Sequence, residues 1–269
     1  MASKTEREPG APPSSAAPAV SVQDLSFGYD GGAVLESVTV ELPVGSLVGV
    51  AGPNGAGKTT LLKALLGLIR PWRGRIEIFG RPSSDVRERV AYAPQVQTVD
   101  WEFPATVGDV AMMGRYGRLG LLRRPGAGDR DAVASALRQV GLESLAKRQI
   151  GELSGGQQRR MLIARALAQQ ADLLLLDEPM VGLDATTQHD LLDLFEQLRD
   201  AGKTLLVATH DLSCVAACFD LALLLNKRLV ALGPPAEVLT PAILQEAYAE
   251  HLLLLPTEGG VYVGHHGHG

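Results

Sequence analysis

The run Gly52-Pro53-Asn54-Gly55-Ala56-Gly57-Lys58-Thr59, followed by Thr60, has the spacing of a phosphate-binding loop, G-x-x-x-x-G-K-[ST]. Glycines let successive backbone N–H groups turn toward phosphate oxygens with no Cβ in the way. Lys58 supplies a mobile positive charge and Thr59 a hydroxyl able to reach a divalent cation. The run follows the apolar segment LVGVA and precedes a helical pattern, the context in which a helix N-terminus adds its partial charge. A second apolar run, Leu173 to Leu176, ends in Asp177-Glu178. Asp177 is placed to organise a cation shell and Glu178 to polarise a water. A third feature, Leu153-Ser154-Gly155-Gly156-Gln157, is another glycine turn before a helix, and so a second anion-binding nest.

The elements that position these groups follow from pattern. LVGVAG, ADLLLLDEP and KTLLVATH each carry a short apolar run, as strands buried on both faces of a parallel sheet do. Helical patterns alternate with them: Lys58 to about Ile69, with Leu61, Leu62, Leu65 and Leu68 on one face, and HDLLDLFEQLRDAG, closing at Gly202. The expected fold is α/β, a mostly parallel sheet flanked by helices. VSVQDLSFGY and VLESVTVELPVG alternate as half-buried strands, broken at Asp30-Gly31-Gly32 and Pro43. LALLLNKRLVALG reads as a hairpin turning at Asn226-Lys227. Residues 96–165 lack a sheet pattern and read as a mostly helical subdomain, in which Ala132, Val133, Ala136, Leu137 and Val140 share one helix face.

Composition sets bounds. The 269 residues are 46% hydrophobic but only 4% aromatic, so the core is aliphatic. The net charge of −5 argues against nucleic acid as a partner. Two cysteines point to a reducing compartment rather than a disulfide framework. No apolar run approaches the roughly 20 residues of a membrane span. Residues 1–19, rich in Pro, Ala and Ser, read as a disordered leader, and residues 256–269 as a flexible His-rich tail. The tail histidines (His265, His266 and His268) have the composition of a transition-metal tract and equally of a solvated end. His210, Cys214 and Cys218 share a helix face at metal-ligand spacing, but they lack a fourth ligand, and small cysteines commonly pack helices.

LSGGQ lying between the glycine loop and the Asp-Glu strand is the signature of ATP-binding-cassette (ABC) ATPases, and residues 20–255 resemble that family. The resemblance implies a P-loop NTPase core with a mostly parallel sheet, an N-terminal antiparallel β subdomain and an α-helical signature subdomain. It implies ATP and Mg²⁺ as ligands. Tyr29 stands where the family stacks an aromatic on adenine. Gln95, in YAPQ, stands in the loop that senses the γ-phosphate and completes the Mg²⁺ set with Thr59 and Asp177. Gly182-Leu183-Asp184 lies in the loop that crosses the dimer interface, and His210 is the switch histidine. Gly52 to Thr60 would cradle one face of the nucleotide. Ser154, Gly155, Gly156 and Gln157 of a second subunit, identical or related, would cover the other in a head-to-tail dimer. A multi-span permease, and through it a solute-binding protein, are the implied partners, on the cytoplasmic face of a bacterial plasma membrane.

The segments Val99-Asp100-Trp101-Glu102-Phe103-Pro104 and Met113-Gly114-Arg115-Tyr116-Gly117 resemble the ATPase subunits of manganese, zinc and iron importers. Trp101, Phe103 and Tyr116 are expected there as apolar anchors for a permease. The alternatives within this reading are another cargo, such as haem or a siderophore, and a soluble ABC ATPase outside transport. Met180-Val181 after Glu178-Pro179 departs from the family pattern without touching the chemistry.

Overall fold

The computed structural model describes residues 17–29, 32–119, 123–248, 252–257 and 260–265. The greater part of the leader (1–16), the turn at Asp30-Gly31, and His266 and His268 of the tail lie outside the described residues. An antiparallel sheet opens the chain: β1 (Val20–Tyr29) pairs with β2 (Gly32–Leu42) and with β4 (Arg73–Ile78), which carries the short β5 (Arg81–Pro82). Alternation along these strands turns Val20, Val22, Leu25 and Phe27 inward. Their cluster also takes Leu61, Leu62 and Leu65 of α1 (Lys58–Leu65).

The second sheet has six strands in the order β10-β9-β3-β8-β7-β6: β3 (Leu47–Ala51), β6 (Val90–Ala93), β7 (Leu173–Asp177), β8 (Thr204–Ala208), β9 (Leu221–Asn226) and β10 (Arg228–Gly233). All neighbours are parallel except β10, which returns antiparallel on β9. Every residue of β3, β7 and β8 is buried, as their unbroken apolar composition requires. The hairpin turn falls at Lys227, as expected, with φ 56.

The described residues between 107 and 168 carry helices separated by short 3-10 turns: α2 (Val107–Met113), α3 (Tyr116–Leu119), α4 (Ala127–Gln139) and α5 (Gly155–Ala168). The expected face of α4 is buried against α5 and α2. After the sheet core come α6 (Ala185–Asp200), α7 (Leu212–Cys218), α8 (Pro235–Val238) and α9 (Pro241–Tyr248). A separate antiparallel pair follows, β11 (Leu252–Thr257) with β12 (Gly260–His265). Within the stretch read as a flexible tail from residue 256, Pro256 and Thr257 thus pair with Val261 and Gly260, and the second strand runs to His265.

Two helices differ from expectation in their bounds. Helix α1 ends at Leu65 because Gly67 takes φ 67, so Leu68 is exposed although its spacing fits the apolar face. Helix α6 begins at Ala185, a turn before His189, because Asp184 caps it by accepting from the Thr187 N–H at 3.0 Å. It ends at Asp200, with Gly202 one position beyond the cap in the left-handed region at φ 84, where glycine stops a helix without strain. Among the described residues no helix is long and apolar enough to cross a membrane.

Candidate functional site

The sheet order places the chemistry. β3, β8, β7 and β6 are parallel neighbours, so the segments leaving their C-terminal ends emerge side by side at one edge, where ligands of such sheets bind. From β3 comes the loop Gly52–Gly57, from β7 Asp177 and Glu178, from β8 Thr209 and His210, and from β6 Pro94 and Gln95. In-register pairing of Asp177 with Ala208 and of Ala93 with Leu176 aligns these ends.

The loop is built for glycine at two points. Gly52 has φ +151, and a Cβ there would stand 2.0 Å from the Leu225 carbonyl oxygen. Gly57, the N-cap of α1, has φ +97, and a Cβ there would meet Leu35 Cδ2 at 2.5 Å. Asn54 and Gly55 form the exposed crown, while Ala56 and Gly57 are buried. Lys58 is 8% exposed and folds back over the loop, donating to Gly52 O at 2.7 Å and Pro53 O at 3.0 Å. Burial holds its pKa below the ordinary lysine value, offset in part by Glu178 and then Asp177. A buried ammonium facing only carbonyls and two nearby carboxylates is a fit for an anionic ligand. Thr59 and Thr60 follow in the first turn of the helix.

Asp177 is 2% exposed, and Gln95 Nε2 donates to one of its oxygens at 3.3 Å. The Tyr92 hydroxyl donates to the other at 3.4 Å, and burial, then Asp177, raises the Tyr92 pKa. Tyr92 was not singled out in the sequence, although it lies in the same YAPQ run as Gln95. Glu178 sits at φ 52, a strained conformation for a non-glycine residue, pinned by its N–H to Ala208 O at 3.0 Å. That bend brings Glu178 Oε1 within 3.9 Å of His210 Nδ1. Asp177, the Gln95 carbonyl and the Thr59 hydroxyl are hard oxygen donors, a set suited to Mg²⁺ rather than to a thiophilic ion.

The glycine turn before α5 is differently made. Ser154 Oγ accepts from Gln157 N–H at 3.4 Å, and Gln157 Oε1 accepts from Ser154 N–H at 3.0 Å, a closed capping box. Ser154 and Gly155 are exposed. Gly156 lies against Leu183, where a Cβ would meet Leu183 Cδ2 at 3.3 Å, and Gly182 lies beside the Arg159 guanidinium. The 182–184 loop and the 154–157 turn therefore form one surface.

Tyr29 ends β1 and is 57% exposed, its ring edge-on to Phe27 at 5.0 Å. The exposed Trp72, which the sequence reading passed over, leans across Gly28, where a Cβ would touch its ring at 2.4 Å. Of the three anchors expected in the importer-like segments, Phe103 and Tyr116 are exposed, while Trp101 is partly buried and donates from Nε1 to Val96 O at 3.0 Å. Arg115, between Gly114 and Tyr116, is buried and bonded to Asp129, Ala168 O and Gln170. Cys214 Sγ lies 4.0 Å from Met180 Sδ, and burial pushes the Cys214 thiol up to about 12.

The family model described as ABC transporter matches residues 35–181. The chain belongs to the ABC transporter family, as one of its ATP-binding ATPase subunits. The cassette is 48% identical over 235 residues to the zinc transport system ATP-binding protein TroB of Treponema pallidum, covering 87% of this chain and 88% of that protein. It is 45% identical over 236 residues to the manganese transport system ATP-binding protein MntB of Bacillus subtilis, covering 88% and 94%. Among solved structures, an ATP-binding subunit of an ABC transporter is 29% identical at a TM-score of 0.72, covering 86% of the cassette and 96% of that chain.

Proposed function

We propose that the cassette hydrolyses ATP to drive import of a divalent metal ion, Mn²⁺, Zn²⁺ or Fe²⁺, through a separate multi-span permease. The observation that carries this reading is the likeness, across most of the chain, to subunits named for manganese and zinc transport. The V-D-W-x-F-P and M-G-R-Y-G segments support it, and the exposed Phe103 and Tyr116 suit a docking surface. The working unit is a head-to-tail dimer on the cytoplasmic face of the membrane, supplied with cargo by a solute-binding protein. The division of the chain keeps a cassette over 20–255 and a helical subdomain over 96–165.

In the mechanism, Tyr29 stacks on adenine. The Gly52–Gly57 amides, Lys58 and Thr60 hold the phosphates. Thr59, Asp177 and Gln95 would hold Mg²⁺, which when bound would neutralise phosphate charge. Glu178 takes the proton of a water directed at the γ-phosphorus, His210 steadies that arrangement from the γ-phosphate side, and the bond to the bridging oxygen breaks. Ser154, Gly155, Gly156 and Gln157 of the partner complete the site. Deletion of the coding region, with accumulation of Mn²⁺, Zn²⁺ and Fe²⁺ measured and the intact cassette or its Glu178→Gln variant restored, tests the reading. Loss of one ion's uptake, rescued only by the intact cassette, is the expected result. Unchanged uptake of all three overturns it.

A further inference from the structure

The two oxygens of the buried Asp177 carboxylate are held by different donors. Among the described residues, Gln95 Nε2 donates to Oδ1 at 3.3 Å and the Tyr92 hydroxyl donates to Oδ2 at 3.4 Å. Both donors come from β6 or the residues just after it, but they are not equally fixed. Gln95 stands past the strand, as the N-cap of a 3-10 turn (Val96–Thr98). Tyr92 lies inside the strand, in register with Leu175 of β7. Its carbonyl accepts from Arg165 Nη2 of α5 at 3.3 Å. Its ring packs against the apolar cluster that also takes Leu61, Leu62 and Leu65 of α1. The backbone and the ring of Tyr92 are therefore both anchored before its hydroxyl reaches Asp177.

The two donors also differ in their other duties. In the proposed function Gln95 would offer its side-chain carbonyl to Mg²⁺, whereas Tyr92 has no further task. A carboxylate free to turn about its last bond gives a cation no fixed oxygen. A hydrogen bond from an anchored hydroxyl to one oxygen leaves the other at a set place, and loss of such a partner typically costs 10–100-fold in metal affinity. We infer that Tyr92 is a positioning residue of the cation site: its hydroxyl holds Asp177 Oδ2 so that Oδ1 is presented to Mg²⁺. This rests on the reading of Asp177 as an Mg²⁺ ligand. The cation separates a positioning role from a structural one. If the hydroxyl only held β6 against β7, its removal would weaken nucleotide binding equally with and without Mg²⁺. If it aims Asp177, removal weakens binding only when Mg²⁺ is present.

The test is Tyr92→Phe in the full chain, with the Kd for the non-hydrolysed ATP analogue AMP-PNP measured in excess EDTA and again at saturating Mg²⁺. The ratio of the two values is the gain that the cation contributes, read without turnover. A gain reduced about tenfold, with the EDTA value within about twofold of the parent, is expected. Equal weakening in both media overturns the inference, as does an unchanged gain. Asp177→Asn is the control for the underlying reading. If Asp177→Asn keeps the gain, Asp177 does not hold the cation and the Tyr92 inference falls with that assignment. If Asp177→Asn loses the gain and Tyr92→Phe keeps it, the positioning role alone falls.

Discussion

The two glycine turns of this chain, Gly52–Gly57 and Ser154–Gln157, both lead into helices, yet they are held in opposite ways. The first is braced from behind by Leu225 and Lys227, with Gly57 buried in the left-handed region and a lysine folded under it. The second closes on itself through one capping box and exposes Ser154 and Gly155. A turn braced at both ends and from behind is a preformed site within one chain. A turn satisfied by its own cap, with Ser154 and Gly155 facing outward, has the form of half a site. On the function proposed above, ATP affinity belongs to the first and dimer-dependent turnover to the second.

The largest expected effect separates these two properties. Glu178→Gln retains hydrogen bonding but cannot take a proton, so kcat falls by about 10²–10⁴, while the Kd for ATP stays within twofold. Trapped with ATP, this variant shifts from monomer to dimer on size exclusion. Adding Gly156→Asp places a charge on the exposed turn and abolishes the shift without weakening the Kd. If Gly156→Asp weakens ATP binding to the monomer as much as loss of Lys58 does, the division between the two turns is wrong.

A smaller effect compares the glycines as glycines. Gly57→Ala forces a side chain into φ +97 against Leu35 Cδ2 at 2.5 Å and Val34 O at 3.0 Å. Left-handed strain and overpacking together cost about 2–4 kcal/mol. Gly155→Ala meets nothing nearer than Arg159 at 3.5 Å, at an exposed position in the first turn of α5. The gain in helix propensity leaves stability unchanged or raised by up to about 1 kcal/mol, while turnover still falls if, as the proposed dimer requires, the new methyl faces the partner's ATP. Chemical denaturation of both variants checks the difference. Equal destabilisation would mean that the second turn is confined as well.

How much of this was legible in the sequence follows from the same contrast. The strands β3, β7 and β8 announce themselves as unbroken apolar runs, and the motif residues follow directly at their ends. The sheet then had only to be parallel for Gln95, Asp177, Glu178 and His210 to meet. Contacts made by distant segments left no such trace. The Arg115 of M-G-R-Y-G reads as part of a surface motif but is locked to Asp129 and Gln170 inside the helical region. Leu68 fits the face of α1 by spacing, yet Gly67 ends the helix first. Tyr92 and Trp72 reach the site only through tertiary packing, and neither local composition nor periodicity encodes that.

The smallest effect concerns what the braced loop costs when no nucleotide is bound. Lys58 is buried, and its pKa is lowered by that burial more than Glu178 and Asp177 raise it. The folded state therefore gives up the proton more readily than the unfolded chain, whose lysine titrates near 10.5. Between the lowered folded value and 10.5 the unfolded state binds more protons, so stability rises with pH across that window. Lys58→Met removes the buried charge and that rise with it. Near neutral pH the nucleotide-free variant should melt higher, by about 2–4 °C for each kcal/mol relieved, and its advantage should shrink as pH climbs toward 10.5. ATP should raise the melting temperature of the parent and leave the variant unmoved. A variant that melts lower at neutral pH would mean that the two carbonyl bonds of Lys58 outweigh its burial, and that the first turn is held together by its lysine rather than strained by it.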